Sequence, residues 1–330
     1  MPASRNILVL YTGGTIGMQQ SAEGLMPASG FASRLREQQD QQPQLTLPSW
    51  QFRELLPAID SANMNQANWL AMVEAIRAGV EQDGCDGVLV LHGTDTLAYS
   101  AAALSFLLLG LEVPVLLTGA MLPAGAPDSD AWSNLFGAMH ALQAGIEPGV
   151  YLYFSGKLMS GVRASKRGTA TLDAFGVAPR LRQGKRAPGI PATLDYRQPR
   201  RSVSLAVLPF YPGIEASHLR ALLACGVQGV LLECYGSGTG PADDAELLAV
   251  LKDAHERGVV LAAISQCPQG HVEFGIYAAG STLAATGLIS GGGMTREAAL
   301  GKLFALLGAG LSQAETEHWF ALDLCGERAD

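Results

Sequence analysis

A chain of 330 residues exceeds the usual size of a single hydrophobic core, so two domains are expected. Hydrophobic residues make up 48% and charged residues 16%, a balance that excludes a disordered or fibrous chain and suits α/β architecture with well-buried strands. The net charge of −8 argues against a nucleic-acid partner, which requires clustered Lys and Arg to displace condensed counterions.

The first apolar run, NILVLY at residues 6–11, reads as a buried strand and leads into Gly13-Gly14-Thr15. The Gln-rich EQQDQQPQ from Glu37 reads as a solvated loop. QANWLAMVEAIRAGVEQDG (66–84) places apolar residues at helical spacing and stops at a glycine, so a helix is expected before the next strand, GVLVLHG (87–93). VPVLLTG (113–119) and GVYLYFSG (149–156) complete a first set of strands. Arg182 to Arg201 holds three prolines, two glycines and six basic residues with no clear period, which marks a boundary. The basic RLRQGKRAPG from Arg180 is short and lacks interleaved aromatics, so it reads as an exposed connection. Beyond it, SLAVLPFYPG (204–213), GVLLECYG (229–236) and VVLAAIS (259–265) read as strands, with a helix over DDAELLAVLKDAHERG (243–258). Alternation of this kind predicts βαβ units and parallel sheets. The expected fold is α/β, with a large N-terminal, mainly parallel-sheet domain over 1–186, a linker over 187–202 and a smaller C-terminal α/β domain over 203–330.

Ligands of open parallel sheets sit beyond the carboxyl ends of the strands. Polar clusters occupy those ends here: TGGTIG (12–17), HGTDT (92–96), TGAM (118–121), and SGKLMSGVRASK leading to Lys166. Phosphate binding fits poorly, because the dinucleotide fingerprint needs a glycine where Thr15 stands, and the phosphate loop needs a Lys followed by Ser or Thr. The glycines instead let the backbone turn sharply and leave Thr15 as the polar side chain. A threonine hydroxyl needs a base to become a nucleophile. Thr94, Asp95 and Lys166 are the candidates, since an ionised Asp holds a Lys close and a Lys that has shed its proton can take one from a hydroxyl. Read alone, the TDT before LAYSAAALSFLLL is equally well a helix cap.

Taken together, YTGGTIGM (11–18), LVLHGTDTLAYSA (89–101), TGAMLP (118–123) and RASK (163–166) followed by DAF resemble the threonine-dependent bacterial asparaginase family, most closely its cytoplasmic type I branch. The resemblance runs from Ile7 to about Leu307. It implies an L-asparagine amidohydrolase that forms a covalent acyl-enzyme on Thr15, with Thr94, Asp95 and Lys166 as the supporting triad. It further implies that Asp95 meets the substrate's α-ammonium group, that Asp60 and Ser61 (in DSANM) bind its α-amino and α-carboxylate groups, and that Ala120 lines the pocket beside the scissile amide. No cofactor is implied. A homodimer or homotetramer in the cytoplasm is, with asparagine as the small-molecule partner and neither membrane nor nucleic acid. An ammonia-supplying amidotransferase subunit shares this fold, but such subunits usually carry an extra N-terminal domain and the first motif here begins at residue 12. The third reading is a catalytically weak amino-acid-binding or regulatory protein.

That third reading comes from Leu25, which stands where many family members carry a loop tyrosine. Tyr277 of a neighbouring subunit could supply the hydroxyl, against the plainer expectation that Tyr277 is a core residue. Glu233 replaces the basic residue an effector carboxylate would prefer, so effector control is not expected. The five cysteines, without a CxxC pair, read as reduced, buried small hydrophobes, Cys267 among them. The six histidines show no metal-ligand spacing, and His92 reads as a hydrogen-bonded support behind the site rather than as a catalyst. No run of 18 apolar residues and no signal peptide is apparent, so no membrane span is expected.

Overall fold

The structure, a computed structural model, describes residues 5–21, 24–27, 30–179 and 182–328. The chain divides into two compact units, Met1–Val177 and Ala178–Asp330.

In the first unit, β1 (Asn6–Gly13) runs through the core with residues 7–13 all buried, and a 3-10 turn, Thr15–Gly17, follows it. A short antiparallel hairpin, β2 (Met18–Ser21) and β3 (Gly24–Pro27), leads to α1 (Phe31–Asp40). Then come β4 (Ser49–Ile59), α2 (Gln66–Glu81), β5 (Gly87–Leu91), α3 (Leu97–Leu107), β6 (Pro114–Thr118), α4 (Ala131–Ala144) and β7 (Gly149–Phe154). The last strands are β8 (Lys157–Ser160), β9 (Ala164–Lys166) and β10 (Phe175–Val177). The six-stranded sheet has the order β4-β1-β5-β6-β7-β8 and is parallel except where β8 turns back on β7. β5 and β6 are buried at every position and α3 is apolar nearly all round, as strands and helices enclosed on both faces must be.

The second unit carries a four-stranded parallel sheet of β11 (Leu205–Pro209), β12 (Gly229–Cys234), β13 (Val260–Ser265) and β14 (Ile289–Ser290), in that order. Helices α5 (Ala216–Leu223), α6 (Ala245–Glu256), α7 (Ala278–Ala284), α8 (Arg296–Gly308) and α9 (Gln313–Phe320) complete it. Asp244 caps α6 by accepting hydrogen bonds from the backbone N–H groups of Glu246 and Leu247 at 3.0 and 2.9 Å. Backbone hydrogen bonds tie the segment expected as a linker to the rest of this unit: Ala187 donates to Asp323 O and Arg201 to Gly308 O. Arg180 and Leu181, where the basic stretch begins, lie outside the described residues.

All seven expected strands and both expected helices are present, so the α/β class and the division into a mainly parallel first domain and a second α/β domain stand. Three expectations need correction. The Gln-rich run is helical over 37–40, because Phe31 and Leu35, four residues apart, bury one face of α1 and the glutamines ride on the solvent side. Cys85 and Cys234 are buried, but Cys225 and Cys267 are exposed, since each follows the end of its helix or strand. Tyr277 is 60% exposed rather than a core residue, lying just outside the first turn of α7 beside the equally open Ile276. Among the described residues no helix is long and apolar enough to cross a membrane.

Candidate active site

Every residue singled out from the strand ends falls in the first unit. β1 closes in Gly13 and Gly14 with φ of 115° and 86°, a region that other residues enter only with strain. A Cβ on Gly14 would collide with the backbone of Gly93, and one on Gly93 would meet Ser61 Oγ. A Cβ on Gly119 would strike the carbonyl of His92 and lie 3.6 Å from Thr94 Cγ2. Bare backbone at these three positions therefore brings the ends of β1, β5 and β6, with Ser61, into van der Waals contact. Gly14, Gly93 and Gly119, the chain neighbours of Thr15, Thr94 and Ala120, are thereby the points at which the strand ends touch.

Thr15 opens the 3-10 turn half-buried, its carbonyl accepting from Met18 N. Ser61 and Ala120 are buried, whereas Asp60 is exposed and accepts from Ala62 N at 3.2 Å, ordering the turn at 61–63. The cap reading of the TDT fails by hydrogen-bond geometry. Thr96 occupies the N-cap position of α3, yet its hydroxyl donates to Ser61 O at 2.8 Å instead of capping the helix. Thr94 and Asp95 turn the other way, to Lys166 at the end of β9. Lys166 Nζ donates to Thr94 Oγ1 at 3.0 Å and to Asp95 Oδ1 at 2.7 Å. The Asp95 side chain is 63% exposed and that of Lys166 only 18%, so the ion pair joins an enclosed ammonium to a carboxylate at the mouth. An open carboxylate can still meet a cationic ligand from solvent.

Other residues that support the site went unread in the sequence. The Asp130 carboxylate accepts from the backbone N–H groups of Met121 and Leu122, each at 3.0 Å, and from Asn134 Nδ2 at 3.0 Å. Asn134 in turn donates to Gly119 O at 3.1 Å. The loop that carries Ala120 is thus clamped from the first turn of α4, an arrangement whose only trace in the sequence is an Asp and an Asn four residues apart.

His92 lies behind Thr94, fully buried. Its Nδ1 faces Gly93 O at 2.7 Å, and a carbonyl only accepts, so Nδ1 carries the proton. Nε2 then accepts from Ser100 Oγ at 2.8 Å, and Ser100 accepts from Trp69 Nε1 at 2.9 Å. Burial disfavours a second ring proton and lowers the His92 pKa from 6.5 to about 4. The unfolded chain binds this proton below pH 6.5 and the folded chain only below about 4, so the stabilisation is complete above 6.5 and disappears as the pH falls through that window. Urea titrations of the wild type should lose about 3 kcal/mol across it from this residue alone, and His92→Gln should remove that share of the slope. Equal slopes for the two proteins would refute the account of His92.

The comparisons with known proteins bear on this arrangement. Residues 6–188 match the family model described as "Asparaginase, N-terminal", and 204–320 match "Glutaminase/Asparaginase C-terminal domain". L-asparaginase 1 of Escherichia coli (strain K12) is 36% identical over 333 residues, covering 98% of each chain. Among solved structures, L-asparaginase I from Vibrio cholerae superposes with a TM-score of 0.86 at 34% identity, covering 99% of both chains. The thermostable L-asparaginase from Thermococcus kodakarensis superposes with 0.82 at 30% identity, covering 98% of this chain and 99% of that one. Glycine-permitted convergence of three strand ends, a lysine shared by a threonine and an aspartate, and full-length similarity in sequence and structure agree, and the chain belongs to the asparaginase family.

Proposed function

We propose that this chain hydrolyses L-asparagine to L-aspartate and ammonia through an acyl-enzyme on Thr15. The observation that carries the reading is the pair of hydrogen bonds from Lys166 Nζ to Thr94 Oγ1 and Asp95 Oδ1, next to the turn that presents Thr15. Asparagine is a small zwitterion, so its site must offer both carboxylates and donors. Asp60 and Asp95 are assigned to the α-ammonium group, Ser61 to the α-carboxylate and Ala120 to the wall beside the side-chain amide.

In the first half-reaction Thr15 Oγ forms a bond to the amide carbon while its proton passes to the Thr94–Lys166 pair. The pair relays that proton, and the Asp95 carboxylate holds the lysine in place beside it. Backbone N–H groups at the glycine-rich strand ends stabilise the oxyanion. The C–N bond then breaks and ammonia leaves with a returned proton. In the second half-reaction water attacks the ester carbon, the bond to Thr15 Oγ breaks, and aspartate departs with the threonine hydroxyl restored.

The reading places the enzyme in the cytoplasm as a homodimer or homotetramer. Leu25 supplies no hydroxyl, and its side chain lies outside the described residues. Tyr277, open to solvent, is the candidate to supply one to a neighbouring copy.

Ammonia release from asparagine and from glutamine by the purified protein tests the assignment. Release from asparagine in the absence of tRNA or any partner protein is expected, with glutamine the poorer substrate. Release that requires tRNA and a partner would favour an amidotransferase subunit instead, and asparagine binding without release would favour a regulatory protein.

A further inference from the structure

A cavity of about 630 Å³ lies in the first unit between α1 and the loop 123–127, and none of the residues assigned to hydrolysis lines it. Its size suits a small organic ligand. Its apolar lining is Pro123, Ala124, Pro127 and Trp132, whose indole also stacks on Phe31 and Phe136. Its charged lining comes from one face of α1, with Arg34 and Glu37 a single turn apart.

The two charged groups keep capacity for a ligand. Arg34 Nη2 donates to Gly17 O at 2.8 Å and the guanidinium lies over the Phe31 ring, 5.0 Å from its centroid, while among the described residues neither Arg34 Nη1 nor the Glu37 carboxylate has a hydrogen-bond partner. No ion pair joins Arg34 to Glu37. A guanidinium nitrogen and a carboxylate held on one helix face, with an aromatic side chain in the same cavity, complement a molecule with an anionic and a cationic group on one carbon and an apolar tail.

Both parts of the lining are also bonded to the turn that carries Thr15. Arg34 donates to the carbonyl of Gly17, and Ala124 N donates to that of Ile16 at 3.2 Å. A ligand that clamps α1 against the 123–127 loop therefore fixes two consecutive carbonyls of the 3-10 turn from outside.

We propose that this cavity binds a free α-amino acid with an aromatic side chain, its carboxylate on Arg34, its ammonium on Glu37 and its ring against Trp132 and the prolines, and that binding rigidifies the Thr15 turn. The site goes beyond the hydrolytic reading and its binding is independent of it.

Calorimetric titration with L-phenylalanine, 3-phenylpropionate (which lacks the ammonium) and phenethylamine (which lacks the carboxylate) tests the chemistry without recourse to turnover. Phenylalanine is expected to bind at least about tenfold more tightly than either fragment, and Glu37→Gln, an exposed substitution outside the hydrolytic machinery, is expected to erase its advantage over phenylpropionate. Hydrogen exchange at the amides of 15–18 should slow on phenylalanine binding in the wild type and not in Glu37→Gln. No saturable binding of phenylalanine up to about 10 mM, or binding that Glu37→Gln leaves unchanged, would overturn the site. Binding that leaves exchange at 15–18 unaltered would overturn its coupling to the turn.

Discussion

Thr15→Ala is expected to lower kcat for asparagine by about 10⁴- to 10⁶-fold, the loss seen when a covalent nucleophile is removed, equivalent to about 5–8 kcal/mol of barrier. The magnitude follows from the proposed mechanism, because without Oγ there is no ester and the remaining groups only position water. Stability should change little. Thr15 is half-buried and makes no side-chain hydrogen bond among the described residues, so the variant should unfold within about 1 kcal/mol of the wild type. Thr15→Ser keeps the hydroxyl and should retain measurable turnover. Steady-state ammonia assays with urea unfolding of the same preparations separate lost chemistry from lost fold. Full activity in Thr15→Ala would remove the nucleophile assignment.

The second large effect belongs to stability. Lys302 on α8 and Glu327 near the C-terminus are both fully buried, with Nζ 2.5 Å from Oε1. Nζ also donates to the carbonyls of Phe320 and Leu322, and Glu327 accepts from the backbone N–H groups of Leu324 and Cys325. Burial works to raise the pKa of Glu327 and lowers that of Lys302, but the Lys302 ammonium and the hydrogen bonds around the carboxylate hold Glu327 well below the usual carboxylate range. This ion pair therefore persists at neutral pH and knots the C-terminal segment onto α8 and α9. Lys302→Met leaves an ionised carboxylate buried without its partner, which costs about 3–5 kcal/mol. For a unit of this size that corresponds to a fall of about 10 °C in its melting temperature. Lys302→Met/Glu327→Leu removes both charges and should recover most of the loss. Calorimetry that finds the double variant no more stable than the single would show that packing, not the unpaired charge, sets the cost.

The parallel strands were legible because burial on both faces leaves an unbroken apolar run, as in VLVL and VLLT, that little else produces. β4 was not, since it lies at the edge of its sheet and carries Arg53, Glu54 and a proline. Its trace is only the alternation of Trp50 and Phe52, which pack against the core, with Gln51 between them and Arg53 after. α1 escaped notice because two apolar contacts, Phe31 and Leu35, suffice to hold it.

At the site, Thr15, Thr94 and Lys166 stood out because strand-end polar residues after glycine are chemically conspicuous. Their supports did not. The Asp130–Asn134 clamp and the Trp69–Ser100–His92 chain use residues that elsewhere would merely cap a helix or fill a core, and only their partners distinguish them. Glu233 is the converse case. The sequence made it look out of place, and the fold supplies Arg296, 63 residues on, whose Nε and Nη2 grip both carboxylate oxygens. A pairing at that separation leaves no local pattern.

Rapid-quench mass spectrometry of the wild type mixed with asparagine tests the central claim most directly. An adduct of one aspartyl group is predicted, mapping to Thr15 by peptide sequencing and absent from Thr15→Ala. An aspartyl ester on any other residue, or rapid turnover by Thr15→Ala with no adduct at all, would contradict the account.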